Sequence, residues 1–305
     1  MRVLITGVTG QIGSALVKAL CSVVQIIGVD RRQIDFAQPE RIPESLNRIQ
    51  PDLIINPAAY TAVDRAEDDR DLAFRVNADA PEVIARWAAP RSVPLIHFST
   101  DYVFDGSGSR PWRESDAPNP LSAYGASKLA GDQAVRAAGG SHLIVRTSWI
   151  YAATGSNFLL TIVRLAKERS TLRVVADQVG APTAARTVAE AVAAIIGGKP
   201  ALADRLAAAN GIVNLAAGGE TSWHGFAVAI MKGLKARGVP LAVQEIVPIA
   251  TKDYPTRAVR PANSRLDLTR LSHVFGTVTP TWEHALPAEL DRLAGALVVK
   301  TAHLG

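Results

Sequence analysis

Two side chains four positions apart, Tyr124 and Lys128, form a pair that can move a proton. A phenol titrates near pH ~10 and is a poor acid at neutral pH unless a nearby cation stabilises its phenolate. On a helix, a spacing of four places both side chains on one face, so Lys128 is positioned to supply that cation. Alone, Tyr-x-x-x-Lys is a weak signal, because it is also an ordinary exposed helix pair.

A third polar group, Thr100, follows the apolar run P-L-I-H-F. At the end of a parallel strand, where open sheets bind ligands, its hydroxyl can donate a hydrogen bond to a substrate carbonyl oxygen. Thr100, Tyr124 and Lys128 therefore predict proton transfer to a ketone.

A glycine-rich turn with Gly7, Gly10 and Gly13 follows the strand-like run R-V-L-I-T and opens the helix-like run Q-I-G-S-A-L-V-K-A-L. Glycines at this spacing let the backbone approach a pyrophosphate, and the amides at the start of the helix then face the phosphates. Because a strand precedes the turn and a helix follows it, we interpret it as a dinucleotide-binding loop rather than a plain turn.

Asp30 ends the second strand-like run, where a dinucleotide fold places an acid on the adenosine ribose hydroxyls. This favours NADH, but Arg31 and Arg32 follow at once, and a guanidinium there can neutralise a 2′-phosphate. The sequence leaves NADH and NADPH open, with NADPH slightly preferred. The alternative for all three charges is a solvated loop.

The first half of the chain alternates apolar runs with helix-like segments, which is typical of a parallel sheet with crossover helices. We predict an α/β fold: a Rossmann-like doubly wound parallel sheet with a smaller α/β substrate-binding domain. The nucleotide domain should comprise residues 1–149 and about 187–217, and the substrate domain about 150–186 and 218–305. From Thr221 onward we predict one helix, Trp223 to Gly238, and a strand in Q-E-I-V-P-I.

Composition excludes several classes of protein. The chain has 305 residues, 48% hydrophobic and 20% charged, so it can bury a full core. The single cysteine, Cys21, excludes an internal disulfide framework, which fits a cytoplasmic protein. The net charge of +5 is interspersed along the chain, so nucleic acid is not expected as a partner. A membrane span is not expected either, because no uncharged apolar run reaches roughly 18 residues.

Together these motifs resemble the short-chain dehydrogenase/reductase superfamily, in its extended, sugar-nucleotide-modifying branch. Within that branch the chain is similar to the dTDP-4-dehydrorhamnose reductase family over residues 1 to about 285. The segments that carry this resemblance are S-T-D-Y-V-F-D-G from Ser99, P-L-S-A-Y-G-A-S-K-L-A-G-D from Pro120, R-T-S-W-I-Y from Arg146, the N-F at Asn157, D-Q-V-G-A-P-T from Asp177 and R-P-A-N-S-R-L from Arg260. They are more specific than the glycine loop.

The resemblance implies NAD(P)H-dependent reduction of the C4 ketone of dTDP-4-dehydro-L-rhamnose to dTDP-L-rhamnose, a precursor of lipopolysaccharide O-antigen. It implies that Tyr124 donates the proton, that Lys128 lowers the pKa of Tyr124 and holds the nicotinamide ribose, and that Thr100 binds the carbonyl oxygen. It also places Asp101 and Trp149 beside the sugar. From composition alone, Trp149 at a strand end fits core packing equally well.

The resemblance further implies which residues surround the cofactor. Besides the three loop glycines, Tyr124 and Lys128, they are Gln11, Ile12, Asp30, Asp35, Phe36, Ala59, Tyr60 and Thr61, with Asn77 as a neighbour of the pocket.

Substrate phosphates need cations, and the loop that contains Arg257, Arg260 and Arg265 supplies them. Arg260 is the preferred contact, and a solvated charged loop is the alternative. Four further residues are candidates for the wall of this pocket: Asn157, Phe158, Pro182 and Thr183.

In one respect the chain departs from what the resemblance implies. Some family members are dimers bridged by a metal ion that carboxylates hold near the first helix and in later helices. Here those positions carry Ala15 and Arg186, and Glu283 alone remains. An arginine in place of a carboxylate argues against a cation site, so we predict no metal. A homodimer stays open.

The sequence is also compatible with three other functions. The chain could reduce another nucleotide-linked 4-ketosugar, or act as an epimerase of the same branch, although Thr100-Asp101-Tyr102 lacks the adjacent second acid that such chemistry usually needs. From a different class, it could be a non-catalytic regulatory subunit that binds a nucleotide, but such proteins often lose the tyrosine, the lysine or the glycines, and all are present here.

Overall fold

The computed structural model describes residues 1–199 and 201–302. Its strands are, in chain order, β1 (Arg2–Thr6), β2 (Gln25–Val29), β3 (Leu53–Asn56), β4 (Leu95–Thr100), β5 (His142–Thr147), β6 (Ile150–Tyr151), β7 (Thr171–Val175), β8 (Val179–Gly180), β9 (Thr183–Ala184), β10 (Ile212–Asn214), β11 (Thr221–Ser222) and β12 (Glu245–Ile249). Its α-helices are α1 (Gln11–Leu20), α2 (Ile42–Ile49), α3 (Arg70–Phe74), α4 (Ala80–Ala88), α5 (Ala123–Ala137), α6 (Phe158–Glu168), α7 (Ala185–Gly197), α8 (Leu202–Ala208), α9 (Trp223–Lys235), α10 (Thr269–Phe275) and α11 (Trp282–Ala302). A π-helical turn, Arg75–Asp79, joins α3 to α4.

Six strands form one parallel sheet in the order β10-β5-β4-β3-β1-β2. The chain places β2 on one side of β1 and then β3 on the other, so the strand order reverses between β1 and β3. The loops after these two strands therefore run in opposite directions and leave a crevice at the carboxyl edge of the sheet, where open α/β sheets bind ligands.

Both faces of this sheet are buried. Along β1, Val3 and Ile5 pack into a core with α1 and α7, whereas Leu4 packs into a core with α2 and α4. Successive strand residues point to opposite faces, and a strand covered on both faces reads as a continuous apolar run. The predicted α/β class with a doubly wound parallel sheet is confirmed.

A second core lies outside the sheet. Helices α6, α9 and α11 bury Leu159, Phe226 and Trp282 together with Tyr151. Two-stranded pairings surround it: β7 with β12, β8 with β11 and β6 with β9.

The prediction of a single helix after Thr221 was wrong. Helices α10 and α11 follow α9 in the described residues. The α10 helix is only seven residues long, and α11 contains Pro287, so both give a weak helical pattern in the sequence. No helix in the described part of the chain is both long and apolar enough to span a bilayer.

Candidate active site

The carboxyl ends of β1 to β5 open onto a cleft of about 1540 Å³, and α6, β7 and α9 form its other wall. All but one of the residues predicted for the site line this cleft: Gly7, Gly10, Gln11, Ile12, Asp30, Arg31, Asp35, Phe36, Ala59, Tyr60, Thr61, Thr100, Asp101, Tyr124, Lys128, Trp149 and Arg260. The exception is Gly13, which lies beneath the loop.

The glycine loop is tight because three backbone segments meet there. Gly7 has a φ of +57°, and a Cβ on it would lie 3.0 Å from the Ala58 Cα. A Cβ on Gly13 would lie 2.2 Å from the Gly7 carbonyl oxygen, so a side chain there would push the loop outward. Gly10 donates its N–H to the Gly7 carbonyl and caps α1 without a side chain. The start of α1 is therefore open to an anion.

The acid at the end of β2 is already partnered. Both Asp30 oxygens accept hydrogen bonds from Arg32, with the guanidinium at 2.8 and 3.0 Å. These bonds lower the pKa of Asp30, which stays ionised. Because Arg32 neutralises this carboxylate and Arg31 lines the cleft, the site combines an acceptor for a ribose with cations for a phosphate.

The Ala59–Thr61 segment is fixed from behind by the π-helical turn. Asn77 is fully buried, accepts a hydrogen bond from the Tyr60 N–H (2.8 Å) and donates one to the Tyr60 carbonyl (3.1 Å). Asn77 thus acts as a brace behind the pocket and does not line it. Phe36 lines the cleft while it packs into the core with α2 and α4.

Tyr124 lies in the first turn of α5, which Ser122 caps. The helix approaches the loop after β4 closely at Gly125, where a Cβ would lie 2.2 Å from the Tyr102 carbonyl oxygen. This approach brings the Tyr124 hydroxyl within hydrogen-bonding reach of the Thr100 hydroxyl. The predicted meeting of Thr100 with the tyrosine is therefore present in the structure.

Burial, with smaller contributions from Asp101 and Tyr102, raises the pKa of Tyr124, and the Thr100 hydroxyl opposes the shift. The net direction is opposite to the lowering that we expected from Lys128, because loss of water disfavours a phenolate more than its neighbours favour one. Tyr124 is therefore a neutral phenol at physiological pH, which is the form that can donate a proton.

Lys128 is buried one turn further along α5 and donates a hydrogen bond to the Phe98 carbonyl (2.7 Å). Burial lowers the pKa of Lys128 to about 8, and the charge of Asp132 opposes this shift. Because this pKa lies close to neutral pH, a small change in the groups around Lys128 changes the fraction of Lys128 that is charged.

Asp101 is buried beside Thr100 and accepts a hydrogen bond from its hydroxyl at 3.0 Å. Burial raises the pKa of Asp101 to about 6. This carboxyl group therefore changes charge just below neutral pH, next to the predicted carbonyl site.

Trp149 has a φ of +50°, a left-handed conformation that is uncommon for a bulky residue. Its ring stacks on Trp223, with centroids 3.6 Å apart, and a Cβ on Gly180 would lie 2.7 Å from it. The Phe158 ring also contacts Trp223, with centroids 4.6 Å apart. An aromatic wall results, of which the sequence predicted Trp149 and Phe158 but missed Trp223.

The three arginines of the late loop have different environments. Arg260 lines the cleft and pairs with Asp64 at 2.5 Å. Arg257 pairs with Asp68 outside the cleft. Arg265 contacts Glu220 (3.1 Å) and is also outside the cleft lining, so of these three arginines only Arg260, the preferred contact, lies in the cleft.

Of the four further wall candidates, Asn157 and Phe158 line the cleft, whereas Pro182 and Thr183 do not. Asn157 also donates a hydrogen bond to Gln11 (2.8 Å), which ties α6 to the glycine loop. The sequence missed three cleft residues: Arg173 and Tyr254, which lie outside the motifs, and Gln178, which lies within D-Q-V-G-A-P-T but was given no role.

Of the two positions that depart from the resemblance, Arg186 forms an ion pair within α7 with Glu190 (3.8 Å). Within residues 1–199 and 201–302, no three acidic, histidine or cysteine side chains cluster as metal ligands would.

A parallel sheet with a glycine loop after β1, and a tyrosine and a lysine that line the same cleft, are features of a nucleotide-dependent oxidoreductase. The chain belongs to the family described as "RmlD substrate binding domain", whose model matches residues 1–294. The predicted family is confirmed, and with it the prediction that the chain is an enzyme.

Relatives and solved structures match over nearly the full chain. A dTDP-4-dehydrorhamnose reductase of Burkholderia thailandensis is 45% identical over 292 residues, which cover 94% of this chain and 97% of that protein. The crystal structure of a dTDP-4-dehydrorhamnose reductase from Clostridium acetobutylicum is 36% identical, with a TM-score of 0.87, and covers 96% of this chain and 99% of that one. A Bacillus anthracis dTDP-4-dehydrorhamnose reductase in complex with NADP is 33% identical, with a TM-score of 0.85 and coverage of 96% and 98%.

Proposed function

We propose that this chain reduces the C4 ketone of dTDP-4-dehydro-L-rhamnose to dTDP-L-rhamnose with NADPH or NADH. The observation that carries the proposal is a partly buried, protonated Tyr124 beside the Thr100 hydroxyl, in the same cleft as the glycine loop. The names of the relatives above support the substrate.

The residues present fit a dinucleotide. A Cβ on Gly7 or Gly13 would clash with neighbouring backbone, so these glycines keep the loop tight and leave the start of α1 open to a pyrophosphate. Asp30 and Arg31 would contact the adenosine ribose or its phosphate, and the pairing of Asp30 with Arg32 favours NADPH slightly. When bound, the reduced nicotinamide supplies a hydride to the carbonyl carbon. NADP in the Bacillus anthracis relative supports this cofactor class.

The protein's own contribution is to hold the ketone oxygen and protonate it. Thr100 donates a hydrogen bond to that oxygen, and Tyr124 gives it a proton. The positive charge of Lys128 then stabilises the phenolate left on Tyr124, which burial would otherwise disfavour.

The second core would belong to the substrate domain, which would comprise residues about 150–186 and 218–305. The nucleotide domain would comprise residues 1–149 and about 187–217. Trp149 and Asp101 would contact the sugar, while Arg260 would contact a phosphate. The product would supply rhamnose for cell-surface polysaccharide.

The test is consumption of reduced cofactor by the purified protein, with dTDP-4-dehydro-L-rhamnose generated in situ and NADH and NADPH compared in parallel. We expect turnover that depends on the ketosugar. No turnover with either cofactor, alongside tight cofactor binding, would contradict the proposal and favour another 4-ketosugar or a regulatory role.

Replacing Asp30 with alanine should weaken NADH binding about tenfold and NADPH binding less, because the carboxylate accepts from ribose hydroxyls that only NADH leaves free. Cofactor KM values measured for both forms check this. Equal losses for the two cofactors would remove Asp30 from the ribose.

Replacing Arg260 with glutamine should raise the KM for the nucleotide sugar by about 10-fold or more, because a phosphate loses a charge-assisted hydrogen bond. The matched control is Arg257→Gln, three positions earlier, whose partner Asp68 lies outside the cleft lining. Its KM should stay within about twofold of wild type. Similar KM values for the two variants would show that the loop acts only through its overall charge.

A further inference from the structure

A row of buried polar side chains runs from β1 through β3 and β4 to Lys128. The Thr6 hydroxyl donates a hydrogen bond to Oδ1 of Asn56 (2.6 Å), and Nδ2 of Asn56 lies 3.1 Å from Nδ1 of His97. On the other side of the ring, Nε2 of His97 lies 3.4 Å from Nζ of Lys128. All four residues are buried, so their polar atoms need protein partners, which they find in one another and in nearby backbone such as the Phe98 carbonyl.

The hydrogen-bond donors in this row determine which nitrogen of His97 carries the proton. A lysine ammonium only donates, so Nε2 of His97 must be the unprotonated nitrogen when Lys128 is charged. The proton of His97 then lies on Nδ1 and requires an acceptor. In the orientation above, the Asn56 nitrogen faces Nδ1. Rotating the amide by 180°, which exchanges two groups of nearly the same shape, turns its oxygen to His97 as the acceptor and lets its nitrogen donate to the Thr6 hydroxyl.

His97 is well suited to remain an acceptor. Burial, together with the charge of Lys128, lowers the pKa of His97 well below its usual range. The ring is therefore neutral and keeps one lone pair free for Lys128.

We infer that His97 is a positioning residue that holds the ammonium of Lys128 through Nε2, and that Asn56 and Thr6 select the tautomer that makes this possible. The inference deepens the proposed function and rests on it, since Lys128 is taken to stabilise the Tyr124 phenolate. It assigns a role to a histidine that no motif indicates.

Other charged and titratable groups also face Lys128. Asp132 follows it by one turn on α5, pairs with Arg146 of β5 at 3.5 Å and accepts a hydrogen bond from Ser99 of β4. Tyr124 precedes it by one turn on the same helix. These groups remain in every variant used below, so a change in Lys128 is attributable to the row.

Two amide substitutions distinguish the role of Nε2 of His97 from that of Nδ1. His97→Gln extends an amide to the place of Nε2 and keeps an acceptor for Lys128. His97→Asn extends an amide only to the place of Nδ1, which keeps the contact with Asn56 and leaves Lys128 without this acceptor. A third variant, Asn56→Leu, leaves His97 in place but removes the acceptor for its Nδ1 proton.

The measurement is the titration of Lys128 in the cofactor-free protein, by NMR of carbon-13-labelled lysine, with Lys128→Met used to assign its signal among the eight lysines. Wild type should titrate near pH 8. His97→Asn should lower the midpoint by about one pH unit, as expected when a charged group loses a hydrogen bond, and Asn56→Leu should shift it in the same direction. His97→Gln should stay near wild type.

The same variants should move the alkaline limb of the kcat profile in parallel, because a neutral Lys128 no longer stabilises the phenolate. The inference would be overturned if the Lys128 midpoint shifted equally in His97→Gln and His97→Asn. It would also be overturned if the midpoint in His97→Asn rose or did not move. If His97→Asn does not fold, the titration midpoint of Lys128 in Asn56→Leu is compared with that in His97→Gln instead. A lower midpoint in Asn56→Leu supports the inference, and equal midpoints overturn it. The protein could show no ketosugar turnover while the Lys128 midpoint still differs between His97→Gln and His97→Asn. That result would support the inference about Lys128 and contradict the proposed function.

Discussion

Replacing Tyr124 with phenylalanine is expected to lower kcat for ketosugar reduction by about 10²- to 10⁴-fold, the usual contribution of a positioned general acid. Burial keeps this phenol protonated, and its hydroxyl is within reach of Thr100, where the carbonyl oxygen would bind. Phenylalanine preserves the ring and removes only the proton donor. The measurement is steady-state turnover with saturating cofactor and ketosugar.

The control for this substitution is Tyr102→Phe. Tyr102 also lines the cleft, and its ring packs edge-on against Tyr124 with centroids 5.5 Å apart. Burial raises its pKa to about 12, so it is a neutral phenol as well. We expect a loss of less than about tenfold in kcat and unchanged cofactor affinity in both variants. Activity of Tyr124→Phe within a few fold of wild type would mean that another group is the acid.

The second large effect concerns stability. Asp132→Asn should lower the free energy of unfolding by about 3–5 kcal/mol, because it leaves the Arg146 guanidinium buried without its counter-charge. Both side chains are almost fully buried and lie 3.5 Å apart. Asparagine keeps the shape and can still accept the hydrogen bond from Ser99. Chemical denaturation monitored by circular dichroism gives the value.

A surface pair provides the matched comparison. Asp291 pairs with Arg237 at 2.7 Å, but the Asp291 side chain is 68% exposed. Asp291→Asn should therefore cost no more than about 1 kcal/mol, since water screens the charge that remains. If both substitutions lowered the free energy of unfolding equally, the charge of Asp132 would contribute no more to stability than an exposed charge does.

Much of the fold and site follows from patterns short enough to read along the chain. Each apolar run of the first half became a strand, because a parallel strand covered on both faces needs no polar alternation. The spacing of Tyr124 and Lys128 fixed their common helix face, and the glycine spacing fixed the loop after β1. The late helices escaped prediction because α10 is short and α11 contains a proline.

The sequence by itself determined what depends on neighbours within one helical turn or one strand: the alternating elements, the glycine loop, and Tyr124 beside Lys128. Only the tertiary structure decided which arginine of the late loop faces the cleft and that Trp149 stacks on Trp223. It also placed His97 between Asn56 and Lys128. These arrangements join residues tens of positions apart, and they form only when the packing of sheet and helices excludes water and leaves buried polar groups to partner one another.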